Sequence, residues 1–281
     1  MTPQFVRIAT ELKLLDFWMA PFISVSAGAA PARAAIRRSQ APFSGSGLPF
    51  AAQILSRDLA SAALCAKRMA ELGIGFLSLN FACPSGDVLR SGSGGAILKR
   101  PSLMAQIAGE VSEALAGRTA LILKLRSGWS DPKELRDLIP AACACRPDAI
   151  LLHFRTVEEK YSDVDRDEAL ARLAEAVALA GDIPLIGNGD IRCEADAVEM
   201  SAKSGCAGVA LARGFLADPF LLRRILGLPA PAIDDGRRLF LRAMKSGGCV
   251  GKAAGNLLEV ARAMYGQDSD LFRRILRGES I

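Results

Sequence analysis

The 281-residue chain has a single histidine, His153, and only two tryptophans and two tyrosines. One imidazole excludes a His-rich metal site and any mechanism that relays a proton between two histidines. Seven cysteines are present, at positions 65, 83, 143, 145, 193, 206 and 249, but no pair is spaced C-x-x-C and the number is odd. That argues against a disulfide framework and against a zinc ribbon, and reduced thiols of a cytoplasmic protein are the plain reading. Long hydrophobic runs are missing too. The uncharged stretch 17–32 is interrupted by two prolines and is too short to span a bilayer. Arg7, Glu11, Lys13 and Asp16 break any secretory leader, so no membrane partner is expected. No G-x-G-x-x-G follows the first apolar run, which counts against a Rossmann dinucleotide fold.

What is there is a globular composition, 51% hydrophobic and 23% charged, long enough for one large α/β domain and a small appendage. The net charge of +5 permits a polyanionic partner without demanding one.

Short apolar runs alternate with longer amphipathic stretches. The runs cover 17–26, 48–55, 75–82, 120–127, 149–154, 184–190 and 208–214. Helical spacing of Leu, Ala, Val and Met predicts helices over 58–73, 102–117, 167–181 and 194–205, with Gly73, Gly117 and Gly205 at their ends. Alternating β and α units imply a parallel sheet covered by helices. Ending the strand pattern near residue 214 suits a (β/α)8 barrel, which needs roughly 200–250 residues. Only seven strands can be counted, however. The chain opens instead with a predicted helix over 2–15, with Thr2 as N-cap and Pro3 in its first turn. Beyond residue 229 the pattern changes to helices over 236–248 and 251–278. These are dense in Arg237, Arg238, Arg242, Lys245, Lys252, Arg262, Arg273, Arg274 and Arg277. Such a stripe is either a solvated helical face or a surface for RNA phosphates. The expected organisation is thus a barrel domain over 1–228 and a helical domain over 229–281.

Barrel chemistry sits at the C-terminal ends of strands. Six of the seven runs end on polar groups: Gln53, then Asn80 and Cys83, Lys124 and Arg126, His153 and Arg155, Asn188 and Gly189, and Arg213 and Gly214. In LILKLR, alternation sends Leu121, Leu123 and Leu125 to one face and Lys124 to the other. If the leucines face the helices, Lys124 points into the barrel, where its charge needs an anion, a ligand or an interior salt bridge. The ends GNGD (187–190) and LARG (211–214) together suit a phosphate cradle on the last two strands. Cys83 is either inert packing or a working thiol. Pro84 extends the backbone there, and a loop with Gly86, Gly92, Gly94 and Gly95 follows, able to move over a substrate. A free thiol, with an ordinary pKa of about 8.5, is mostly protonated at neutral pH and can act as a general acid.

With these residues the chain resembles the tRNA-dihydrouridine synthase family. The stretch LNFACPSGDVLRSGSGGAILKRP (79–101) looks like its signature loop, with the N-x-x-C-P core and the closing Pro101. Likeness continues through QIL (53–55), LKLRSGW (123–129), HFRT (153–156), NGDI (188–191) and ARGFLADP (212–219). Spacing within the loop is most similar to the bacterial C-type synthases. The resemblance implies an FMN-binding TIM barrel followed by a helical domain that grips tRNA, with NADPH reducing the flavin. It implies Cys83 as the acid that protonates C5 of a uridine, Asn80 orienting the uracil and Arg155 holding RNA. Gln53, Lys124, His153, Asn188, Gly189, Asp190, Arg213 and Gly214 would bind the cofactor. No stable protein partner is implied, and a monomer is expected.

Two departures stand out. Family members begin with a strand and turn reading roughly P-M-x-x-V-T-D, whereas Met1-Thr2-Pro3 resembles the end of that turn. An open seven-stranded barrel with an exposed edge is therefore expected. HFRT carries Phe154 where the family usually has glycine. Two other functions compete: a flavin oxidoreductase for a free pyrimidine-like substrate, and a non-catalytic RNA-binding remnant.

Overall fold

The computed structural model describes residues 2–247, 255–277 and 279. Cys249, Lys252 and the start of the helix expected from 251 lie outside the described residues. All seven expected strands form: β1 (Trp18–Val25), β2 (Phe50–Ser56), β3 (Phe76–Asn80), β4 (Ala120–Arg126), β5 (Ala149–His153), β6 (Leu185–Asn188) and β7 (Gly208–Ala210). Each pairs in parallel with the next, in the order β1-β2-β3-β4-β5-β6-β7, and no ladder joins β7 back to β1 among the described residues. The sheet is an open, curled relative of the barrel. Its free edge strand β1 carries Pro21, and the register shifts between Met19 and Phe22. Proline and an irregular register are what an unpaired edge tolerates.

The helices are α1 (Pro3–Glu11), α2 (Arg33–Ser44), α3 (Leu59–Glu71), α4 (Gly86–Arg90), α5 (Pro101–Leu115), α6 (Leu135–Cys143), α7 (Arg166–Ala180), α8 (Glu194–Ser204), α9 (Arg213–Ala217), α10 (Leu221–Ile225), α11 (Ile233–Ser246), α12 (Gly255–Tyr265) and α13 (Asp270–Leu276). Their ends follow local chemistry. The Thr2 hydroxyl accepts the Phe5 amide and Pro3 opens α1, while Asp58 accepts from Ser61 and Asp165 from Glu168. Gly205 closes α8 at φ +70°. Two helices, α2 and α6, are absent from the pattern reading because Pro42 and Pro140 lie inside them. The glycine segment after Cys83, expected as a loop, instead folds into α4 and a 3-10 turn over Gly94–Lys99.

Three apolar clusters place the site. Leu121, Leu123 and Leu125 pack outward with Ile107, Leu138 and Ile139 of α5 and α6, so the opposite face of β4 turns inward as alternation predicts. Inside the sheet, Ala51, Ile122 and Leu151 form an apolar floor. A third cluster joins Phe5, Trp18 and Phe43 to Phe215, Phe240, Val260 and Phe272. The C-terminal helices therefore share a core with α1, β1 and α9.

Candidate active site

Above the apolar floor the inward positions of the strands become polar. Register puts Gln53 beside Ser78, Asn80 beside Lys124, and Arg126, His153 and Asn188 in one row across β4, β5 and β6. Of these, Asn80, Lys124, Arg126, His153 and Asn188 open into a cavity of about 720 Å³ at the C-terminal ends of the strands. Nine of the residues picked out from sequence line it: Asn80, Cys83, Lys124, His153, Asn188, Gly189, Asp190, Arg213 and Gly214.

Cys83 is fixed by its neighbours. Asn80 Oδ1 accepts the amide N–H groups of Ala82 and Cys83, both at 3.0 Å. The Cys83 carbonyl accepts the Gly95 amide at 3.1 Å. A Cβ on Gly94 would lie 2.6 Å from Val88 Cγ1 and 3.1 Å from Cys83 Cβ; one on Gly95 would lie 2.7 Å from Val157 Cγ2. These two glycines let the following turn press against the cysteine, so they hold it in place rather than release it. Arg126 completes the cage from β4: Nε donates to the Ala82 carbonyl at 2.9 Å, and Nη1 to the carbonyls of Thr156 at 2.8 Å and Lys160 at 3.1 Å.

Lys124 points inward with no hydrogen bond or ion pair to its ammonium among the described residues, so the interior salt bridge does not form. Burial, helped by the Arg126 charge, brings its pKa down to about 8, and Cys83 pulls weakly the other way. His153 lies nearby. Burial first, then the charges of Arg126, Lys124 and Arg155, hold its pKa down to about 2. The Arg155 amide donates to His153 Nδ1 at 3.1 Å, so this neutral ring keeps its proton on Nε2.

At the other end of the cavity, Asn188 Nδ2 donates to the Ala210 carbonyl at 2.7 Å, tying β6 to β7. Gly189, at φ +133°, lies against Phe154: a Cβ there would be 2.3 Å from the ring. A Cβ on Gly214 would be 1.9 Å from the Ile191 carbonyl oxygen. Asp190, itself at φ +44°, bridges Arg155 and Arg213, with Arg213 Nη2 at 2.7 Å. Burial would raise its pKa, but the bond and charge of Arg155 and the charges of Arg213 and Arg192 hold it below the usual carboxylate range.

Two of the expected site residues do not line the cavity. Arg155 is only 1% exposed and does not line the cavity; its Nε donates to the Ser162 carbonyl and its Nη2 to Asp190. Its side chain is turned to Asp190 and away from the cavity. Gln53 lies beneath Asn80, donating to Ser78 and accepting from Asn80 Nδ2 at 2.8 Å, and it also stays off the cavity wall.

Four polar lining residues were not among the site residues chosen from sequence. Arg126 was picked out at the end of its strand, on the Lys124 face by alternation, but was given no role. Arg192 directly follows the NGDI stretch. Tyr161, 59% exposed, lies under the guanidinium groups of Arg126 and Arg213. It comes from a polar loop with no periodic signal. Arg237 reaches the wall from α11. Among the described residues the lining holds five cationic side chains (Lys124, Arg126, Arg192, Arg213 and Arg237) against one acid, Asp190, which is already paired, so the cavity attracts anions.

Elsewhere the basic stripe of the C-terminal helices is largely paired internally. Arg238 meets Asp235, Arg274 and Arg277 meet Glu279, and Lys245 donates to the Glu279 carbonyl. No helix among the described residues is long and apolar enough to cross a membrane.

Comparison with known proteins agrees with this geometry. The chain is 33% identical over 225 residues to a tRNA-dihydrouridine(16) synthase from Cupriavidus necator, covering 79% of this chain and 69% of that one. It is 30% identical over 232 residues to a tRNA-dihydrouridine(16) synthase from Ralstonia nicotianae, covering 81% and 70%. Among solved structures, histamine dehydrogenase from Rhizobium sp. 4-9 shares the fold at a TM-score of 0.53 and 14% identity, covering 87% of this chain and 46% of that one. The family model described as dihydrouridine synthase (Dus) matches residues 2–234, and the chain belongs to that family.

Proposed function

We propose that the protein reduces a uridine of tRNA to 5,6-dihydrouridine, with FMN held in the cavity, NADPH as electron source and Cys83 as general acid. The observation that carries this reading is the immobilised Cys83 on the wall of a cationic cavity in a chain of this family. The donor set fits a flavin mononucleotide. Lys124 offers a buried ammonium that lacks an anion, His153 an Nε2–H, and Arg213 with Arg192 a cationic end for a phosphate. Bound there and reduced by NADPH, FMN would supply the hydride for C6 of the uracil.

The chain's own residues do the rest. The Cys83 thiol gives its proton to C5 and regains one from solvent, so uridine, NADPH and a proton become dihydrouridine and NADP+. Asn80 spends one amide hydrogen on Gln53 and has the other for a uracil carbonyl. Lys124 keeps positive charge beside developing negative charge. The base must be unpaired and turned out of its stack to reach Cys83. The relatives' names point to the uridine at position 16. Helices α11–α13 supply the remaining grip on tRNA, through those basic groups not neutralised within the chain.

The test combines a visible spectrum of the purified protein with nucleoside analysis of tRNA lacking dihydrouridine, incubated with the protein and NADPH. A retained flavin band and new dihydrouridine support the proposal. Flavin-loaded protein that leaves every uridine intact would overturn it. The complete donor set weighs against the RNA-binding remnant, which has no need of it.

A further inference from the structure

The cavity is not closed by the barrel alone. Arg237, Ala263, Leu216 and Ala217 form its outer wall, and the first two belong to α11 and α12. Gly236 makes this possible: a Cβ there would lie 2.8 Å from Phe220 and 3.2 Å from Pro231, so only glycine lets α11 start this close to the barrel. The next residue, Arg237, is then fixed at three points. Nε donates to the Ala217 carbonyl at 2.8 Å, Nη1 meets Asp234 at 3.2 Å, and the guanidinium lies 5.4 Å from the centre of the Tyr265 ring. Nη2 is left without a partner among the described residues. Ala217 ends the same short helix, α9, that Arg213 begins, so the two arginines flank one turn of chain at the anion end of the cavity.

We propose that Arg237 is a phosphate ligand contributed by the C-terminal helices, reading the terminal phosphate of the mononucleotide together with Arg213. The inference rests on the cavity being a mononucleotide site. It makes cofactor retention depend on the docking of α11, so the C-terminal helices serve the cofactor as well as any RNA. A guanidinium already held by Ala217 and Asp234 loses little freedom on meeting a phosphate.

Binding of FMN and of riboflavin, which lacks the phosphate, is measured by fluorescence quenching on the full chain, alongside the affinity for unmodified tRNA. Wild type should prefer FMN to riboflavin. Arg237→Gln should lose about tenfold or more in FMN affinity, as expected for a charge-assisted hydrogen bond, and hold riboflavin within about twofold. Arg237→Lys should fall between. Unchanged FMN affinity in Arg237→Gln overturns the proposal. So does a loss confined to tRNA, which would assign Arg237 to an RNA phosphodiester. Should the Gln variant fail to fold, the Lys variant decides: FMN affinity equal to wild type overturns the proposal. Wild type that binds neither flavin overturns the mononucleotide reading itself, and Arg237 with it.

Discussion

Asn80 holds Cys83 from behind: its Oδ1 accepts the Cys83 amide at 3.0 Å while its Nδ2 donates to Gln53 at 2.8 Å. The cysteine is therefore positioned through its backbone, by a side chain that is itself locked. Asn80→Ala should cut dihydrouridine formation more than tenfold with flavin retained. It should also cost about 1–3 kcal/mol of stability from the unpaired buried groups. Faster alkylation of Cys83 by iodoacetamide would report the loosened backbone. Unchanged product formation would remove Asn80 from the mechanism.

Cys83→Ala should leave the flavin spectrum intact and abolish dihydrouridine formation, because no other thiol among the described residues lines the cavity. Nucleoside analysis of tRNA after incubation with NADPH checks this. Full turnover would transfer the acid role to another group.

Lys124 and His153 give opposite ends of one pH profile. Burial depresses the Lys124 pKa from 10.5 to about 8. Below pH 8 the ammonium is charged in both folded and unfolded chains, and its burial cost, of order 3 kcal/mol, is fully present. Between 8 and 10.5 the folded state sheds the proton first, so stability should rise with pH. Lys124→Met should raise the melting temperature of cofactor-free protein at pH 7, with the gap closing toward pH 10.5, and should weaken flavin retention. His153, depressed from 6.5 to about 2, stays neutral in the fold while the unfolded chain protonates. Its stabilising contribution is present above pH 6.5 and lost as pH falls toward 2, so His153→Gln should flatten the acid limb. Melting curves across pH measure both; a Lys124→Met gap that widens above pH 8 would contradict the assignment.

Glycines at the Arg213 end of the cavity separate packing from mere presence. Gly214→Ala drives a Cβ to 1.9 Å from the Ile191 carbonyl, and Gly189→Ala to 2.3 Å from Phe154. Each should lower stability by about 2 kcal/mol or more and reduce FMN retention. Gly208→Ala, with nothing within 4 Å of its Cβ, should stay within about 0.5 kcal/mol of wild type. Chemical denaturation of the three proteins makes the comparison. Phe154, the departure at HFRT, thus fills the space that Gly189 leaves beside it.

Seven strands, and the place of nine of the eleven chosen residues on the cavity wall, were legible because both rest on local rules. Apolar runs fix strands, alternation sends Lys124 inward, and strand ends collect polar groups. Helices α2 and α6 were hidden by internal prolines, whose local signal is to stop a helix while packing tolerates them.

What the sequence by itself determined is the alternation of strand and helix, the inward lysine and the signature around Cys83. Only the tertiary structure decided which polar groups face the cavity and which support them. Gln53 lies in β2 and Arg155 two residues beyond β5, yet neither lines the cavity; they bond instead to Asn80 and Asp190, which do. Arg237 is far along the chain, yet it reaches the wall because α11 shares a core with α1 and α9. Direction along a strand follows from a period of two. Depth behind a neighbour, and contact across more than a hundred residues, depend on how the elements pack.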